Sequence, residues 1–156
     1  MIEIGSPAPD FSLVDTNREA KSLHDFKGRA TVLAFYPGAF TGVCEKEMCT
    51  LRDSMADLGD LAANVVGISV DSPFANSGFA SRNNLQFPLL SDFTRETIKT
   101  YGVLLSDFAG LSGYDVAQRS VFILDADGVI RYKWIAENPG IEPDYAVVKE
   151  ELTKLG

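Results

Sequence analysis

An apolar run that stops abruptly and passes into a long amphipathic helix constrains this chain most. Residues 30–36, ATVLAFY, are continuous, apolar and rich in β-forming side chains, the pattern of a buried strand. Pro37 and Gly38 break it. Beyond Thr41, the apolar positions Cys44, Met48, Leu51, Met55, Leu58 and Ala62 follow at spacings of four, three, four, three and four. That is one stripe of an amphipathic helix. Cys44 therefore falls in the first turn of a long helix that follows a buried strand.

The start of a helix exposes unpaired backbone N–H groups and carries about half a positive charge, which favours a thiolate over a thiol. A cysteine in such a place becomes a nucleophile. The alternative for any free cysteine is a small packed hydrophobe, and the helix-start position favours the reactive reading. Thr41, three residues earlier, is placed either to put its hydroxyl near the sulfur or to cap the helix.

The remaining chain alternates strands and helices. Residues 11–15 and 21–23 read as a hairpin, followed by a turn or brief helix over 25–28. A second buried strand spans 64–70, and Asp71-Ser72-Pro73 opens a helix over 73–84 with Phe74 and Phe79 directed to the core. Residues 85–90 lead into a third strand. Asp92 or Thr94 opens a short helix to Tyr101, stopped by Gly102. Residues 104–116 read as a loop, 118–124 as a strand, 125–128 as a hairpin turn and 129–135 as its return. After the break at 138–140, residues 142–155 form a last amphipathic helix with Tyr145, Val148 and Leu152 as its stripe. Strand–helix alternation closed by a hairpin predicts an α/β fold with a mixed sheet between helices.

Size and composition narrow the function. With 156 residues and 46% hydrophobic composition, one domain over residues 1–156 with a full core is expected. No apolar stretch approaches the ~20 residues of a membrane span, and the first residues lack a basic region followed by an apolar run, so a cytoplasmic protein is expected. A net charge of −8 argues against nucleic acid or anionic membranes as partners. Two cysteines and one histidine, His24, cannot supply the four ligands of a structural zinc site, and no glycine-rich phosphate loop is present. Neither a metal nor a cofactor is expected, and His24 reads as a surface residue of the hairpin.

The pattern Pro37-x-x-x-Thr41-x-x-Cys44, set between an apolar strand and a cysteine-headed helix, resembles the active-site pattern of the peroxiredoxins, the alkyl hydroperoxide reductase/thiol-specific antioxidant family. The likeness continues through FPLLSD at 87–92, QRS at 118–120 and VFILD at 121–125 with Asp127-Gly128, and covers nearly the whole chain. It implies a thioredoxin-like fold, with a mixed central sheet flanked by helices and an N-terminal β-hairpin. It also implies a thiol-dependent peroxidase that reduces hydrogen peroxide and alkyl hydroperoxides through a Cys44 sulfenic acid. By the same resemblance, the Thr41 hydroxyl bonds the sulfur or the peroxide, Pro37 shields the sulfur from water, and Arg119 keeps the thiolate ionised. Glu47 helps to hold that arginine. Without the resemblance, Arg119 reads as a strand-edge charge and Glu47 as an ordinary exposed helix residue.

Cys49 carries two readings. The bacterioferritin-comigratory branch of the family places its resolving cysteine five positions after the peroxidatic one, as here. In an intact α-helix such residues have Cα atoms about 8.6 Å apart, whereas a disulfide needs about 4.4–6.8 Å, so the first turns must unwind to form it. Against this, residues 37–44, PGAFTGVC, with Asn138-Pro139-Gly140, are similar to a one-cysteine branch that uses an external thiol, which leaves Cys49 a packed small residue. The resemblance further implies thioredoxin, glutaredoxin or a low-molecular-weight thiol as reductant, and a homodimer through loops flanking the site. Phe40, Trp134 and residues 104–114 are the apolar candidates for that contact, each with a core role as the alternative. No Tyr-Phe type C-terminal extension is present, which implies resistance to over-oxidation. Two further readings are a thiol–disulfide oxidoreductase, which would normally show Cys-x-x-Cys, and a non-catalytic redox sensor or holdase-type protein.

Overall fold

The structure, a computed structural model, describes residues 2–57 and 63–155, the side chains of 55–57 excepted. Strand β3 (Thr31–Phe35) is buried at every position. It pairs in parallel with β4 (Asn64–Ser69) on one side and antiparallel with β8 (Ser120–Leu124) on the other. A strand walled in by neighbours and covered on both faces has no use for alternating polar residues, which is why 30–36 is continuously apolar. Strand β5 (Leu89–Ser91) adds in parallel to β4. The expected N-terminal hairpin, β1 (Ser12–Val14) with β2 (Ala20–Ser22), closes that edge. On the other edge β9 (Ile130–Ile135) pairs antiparallel with β8. The seven strands run in the order β2-β1-β5-β4-β3-β8-β9, the mixed sheet that was expected.

Side chains alternate across the sheet with the two-residue period of a strand. Leu33 and Phe35 enter a core with Val66, Ile68, Phe122 and Ile98 on one face. Ala34 and Tyr36 face the opposite side, onto Cys44, Met48 and Leu51 of α1 (Gly42–Asp57) and Phe79 of α2 (Pro73–Arg82). Val32, Val121 and Ile123 pack there against Val148 and Leu152 of α4 (Tyr145–Leu155). The other face carries the short α3 (Glu96–Thr100). Gly67 of β4 is a close-approach position: a Cβ there would sit 2.6 Å from Leu89 Cδ2 and 3.2 Å from Tyr36 Cε1.

Several expectations need correction. Phe79 is buried, but Phe74 is 65% exposed; five residues apart on a helix they differ by about 140° and cannot share a face. Arg18 lies over the Phe74 ring instead, 5.4 Å from its centroid. Residues 104–116 are not simply a loop, since β6 (Leu104–Leu105) pairs with β7 (Val116–Ala117). The last helix starts at Tyr145 rather than 142, because the Asp144 carboxylate accepts from the Ala146 and Val147 N–H groups. The strand expected over 118–124 begins at Ser120, so Arg119 precedes β8. Within the α1 stripe, Leu58 and Ala62 lie outside the described residues, as does the Met55 side chain. His24 is exposed in a 3₁₀ turn, Leu23–Phe26. Among the described residues no helix is long and apolar enough to cross a membrane.

Candidate active site

The site forms where the carboxyl ends of β3 and β4 lie side by side, the position at which open parallel sheets offer a crevice. Tyr36 makes the last ladder bond of β3, donating its N–H to Ile68 O at 3.0 Å. Pro37 has no N–H to continue the ladder, so the chain leaves the sheet there. The turn to α1 is tight enough that Phe40 takes φ +63°, a conformation a bulky side chain adopts only under constraint.

Two groups supply that constraint. Thr41 donates its hydroxyl to Gly38 O at 2.8 Å, and its own carbonyl accepts from Glu45 N at 2.9 Å. Thr41 therefore begins the helix through its backbone, while its hydroxyl is engaged with the loop. Asp71, just past β4, accepts from the Ala39 N–H at 2.7 Å and from the Ser69 hydroxyl at 2.9 Å. Below it, the buried Tyr36 hydroxyl donates to Asn76 Oδ1 at 2.7 Å. Asn76 Nδ2 donates to Ser69 and Ser91 Oγ, each at 3.2 Å. Burial pushes the Tyr36 phenol well above its ordinary range. Asn76, Ser69 and Ser91 escaped the sequence reading, and Asp71 entered it only as part of a helix start that Ser72 caps. The available signal was Tyr36 itself, since a phenol closing a buried apolar run must find a partner for its hydroxyl.

Cys44 lies in the first turn of α1 and is fully buried. The register Phe35↔Ser120 places the residue before β8 beside the residue after β3, and so brings Arg119 to the head of α1. Arg119 Nη2 donates to Cys44 Sγ at 3.3 Å, and Nη1 to Glu47 Oε1 at 2.6 Å. Its Nε and Nη2 also donate to Pro139 O at 3.1 and 3.0 Å. Arg119 is 2% exposed and Glu47 0%. Glu47 sits one turn after Cys44 on the same helix, so both reach one guanidinium. The sequence marked 138–140 as a break and as part of the one-cysteine likeness, and the Pro139 carbonyl is a partner it could not show.

The electrostatics follow from burial. Desolvation raises the Glu47 carboxyl to about 7 despite the opposing pull of Arg119, and its Oε2 has no partner among the described residues. Burial alone would lower Arg119; the Glu47 and Cys44 charges outweigh it and hold the guanidinium above its ordinary value. A fixed cation thus faces two groups that can each be anionic.

Pro37 is buried in the loop beside this cluster. Five of the six singled-out residues, Pro37, Thr41, Cys44, Glu47 and Arg119, converge at the head of α1. Cys49 does not. It is half-buried on another face of the helix, its thiol donates to Asn83 Oδ1 at 3.4 Å, and both cysteines are free. Phe40, Leu111 and Tyr114 are exposed, whereas Trp134 packs partly against the α4 core. Among the described residues no group of three or more His, Cys, Asp or Glu converges on one point.

The sequence model of the AhpC/TSA family matches residues 4–133. The chain is 39% identical over 132 residues to peroxiredoxin Bcp of Escherichia coli strain K12, covering 84% of each. Among solved structures, a peroxiredoxin-like protein from Aquifex aeolicus superposes with TM-score 0.87 at 29% identity, over 99% of this chain and 88% of that one. Peroxidoxin BcpB of Mycobacterium tuberculosis superposes with TM-score 0.83 at 27% identity, over 99% and 97%.

Proposed function

The chain belongs to the AhpC/TSA family of peroxiredoxins, and from that premise we propose that Cys44 is the sulfur that attacks the peroxide, with Arg119, Thr41, Pro37 and Glu47 built around it. The enzyme is a thiol-dependent peroxidase, with a peroxide as substrate and a thiol as source of electrons. The observation that carries the assignment is the fork of Arg119, one arm on Cys44 Sγ at 3.3 Å and the other on Glu47 at 2.6 Å. An arginine buried for stability alone needs only the carboxylate; the second arm on a sulfur is what a thiolate requires.

In the reaction, the Cys44 thiolate attacks one oxygen of ROOH. The S–O bond forms as the O–O bond breaks, the sulfur is oxidised to a sulfenic acid, and RO⁻ leaves to be protonated as ROH. Arg119 offers its Nη2 hydrogen to the thiolate in the ground state and to the developing oxyanion as charge moves off the sulfur. The Thr41 hydroxyl, a rotor that now donates to Gly38, turns to the peroxide oxygens. Pro37 excludes water from the sulfur side of the loop, and Glu47 orients the guanidinium.

Hydrogen peroxide and alkyl hydroperoxides are the substrates. Cys49 resolves the sulfenic acid, and thioredoxin, glutaredoxin or a low-molecular-weight thiol restores the dithiol. A second copy docks over the rim that exposes Phe40, Leu111 and Tyr114, and two free thiols suit a reducing compartment such as the cytoplasm. The test is peroxide consumption under turnover with a thiol reductant. Wild-type protein turns over and Cys44→Ser is inactive; turnover by Cys44→Ser would overturn the assignment. Insulin reduction by the dithiol form, without peroxide consumption, would favour an oxidoreductase instead.

A further inference from the structure

The first turns of α1 present three faces. Cys44, Met48 and Leu51 go inward. Glu45, Cys49 and Arg52, at spacings of four and three, form the neighbouring stripe, and all three meet one residue, Asn83. The Cys49 thiol donates to Asn83 Oδ1 at 3.4 Å, Asn83 Nδ2 donates to Glu45 Oε1 at 3.3 Å, and Arg52 Nη1 donates to Asn83 O at 2.5 Å. On a third face Lys46 pairs with Glu142 at 3.1 Å, with its side chain 72% exposed.

Asn83 is itself rigidly held. It is the C-cap of α2, where Leu85 N–H bonds Ala80 O at 3.0 Å and Asn84 N–H bonds Ser81 O at 3.4 Å. Asn84 takes the left-handed conformation, φ +52°. That is the double bond of a Schellman ending, and its apolar clasp, Leu85 against Phe79 and Ala80, lies in the core under Cys44. The Asn83 amide also donates back to Phe79 O at 3.1 Å. A fixed point on α2 therefore grips the stretch of α1 that holds Cys49.

We propose that Asn83 is a latch on the resolving step: it holds Glu45 and Cys49 in the helical arrangement and sets how often Cys49 reaches the oxidised Cys44. The proposal rests on the reading of Cys49 as the resolving cysteine. Intact α1 keeps the two Cα atoms about 8.6 Å apart, beyond disulfide reach, so the turn containing residues 45–49 must leave the helix first. When it does, Cys49 sulfur attacks Cys44 sulfur, the S–O bond of the sulfenic acid breaks, and hydroxide departs with the Cys49 proton as water. Among the described residues Asn83 bonds neither Cys44 nor Arg119, and so acts on this step and not on the first.

The experiment compares wild type, Asn83→Ala and Lys46→Ala. Quenched-flow intact mass after a peroxide pulse follows sulfenic acid formation and then disulfide formation. Hydrogen exchange of the peptide covering residues 43–52 follows opening of α1 without any oxidant. Asn83→Ala deletes its two side-chain contacts with α1 and its own bond back to Phe79 O, while leaving the backbone carbonyl to Arg52. It should speed both disulfide formation and exchange about five- to thirtyfold, the factor for one to two ordinary hydrogen bonds, with sulfenic acid formation unchanged. Lys46→Ala, cutting an exposed ion pair, should change either by less than about twofold. Unchanged exchange or an unchanged disulfide rate in Asn83→Ala refutes the latch. Faster exchange with no disulfide in any protein, wild type included, removes the resolving role of Cys49 and with it the gate.

Discussion

Replacing Arg119 by methionine keeps the volume of the side chain and removes its charge and donors. At 3.3 Å from the sulfur, a unit charge interacts with a thiolate by about 5 kcal/mol at an effective dielectric of about 20. Desolvation offsets part of this, and the net loss for a hydrogen bond to a charged group is about 1.5–3 kcal/mol. The rate of the first step should therefore fall about ten- to hundredfold. The same change strands Glu47, fully buried with Oε2 already unpartnered. An uncompensated buried carboxylate costs about 3–5 kcal/mol, so Arg119→Met should be clearly less stable, and most so at alkaline pH. A second substitution separates the two effects. Arg119→Met with Glu47→Gln removes both members of the buried ion pair, so most of the stability should return while the peroxide rate stays low. The assay is rapid mixing with hydrogen peroxide followed by intact mass, alongside denaturant unfolding of each variant. A double variant reacting within about threefold of wild type would refute the reasoning, because Arg119 would then have served the carboxylate and not the sulfur.

Two other outcomes follow, one from Glu47 and one from the loop that Asp71 holds. Burial raises Glu47 from 4.5 to about 7, so the native protein holds a proton that the unfolded chain has released across that window. Unfolding free energy should fall as pH rises from about 4.5 through 7, by up to about 3 kcal/mol in total, and Glu47→Gln should flatten that slope; an unchanged pH dependence of denaturation would contradict the burial argument. Asp71→Ala removes the acceptor of Ala39 N–H and of the Ser69 hydroxyl. It should cost about 1–3 kcal/mol of stability and slow the peroxide reaction, by urea midpoint and rapid mixing, and a wild-type rate would mean the loop holds its shape without Asp71.

What the sequence disclosed and what it hid have physical causes. β3 and the head of α1 were legible because burial on both sides forces a continuous apolar run and a single-faced helix forces a stripe. Arg119 was visible as a charge set against an apolar strand, but its position is decided by the β3–β8 register, and the Pro139 carbonyl that receives it has no side-chain signature. Asp71 and Asn76 reach the site across 32 and 40 residues of chain, pairings that no local periodicity records. Phe74 misled because an aromatic residue beside Phe79 suggests a shared face that the helical period denies. Strands β6 and β7, two residues each, are too short to show alternation. Nothing in the spacing along α1 shows that Glu45, Cys49 and Arg52 are tied to the end of α2.

The most direct measurement adds one equivalent of hydrogen peroxide to the reduced protein and takes an intact mass within seconds, with Cys44→Ser and Cys49→Ser alongside. Wild type should lose about two daltons as the Cys44–Cys49 disulfide forms. Cys49→Ser should gain about sixteen as the sulfenic acid persists, and Cys44→Ser should not change. Wild-type protein that keeps its mass, or Cys44→Ser that oxidises as fast as wild type, would contradict the assignment of Cys44 as the peroxide-reactive sulfur.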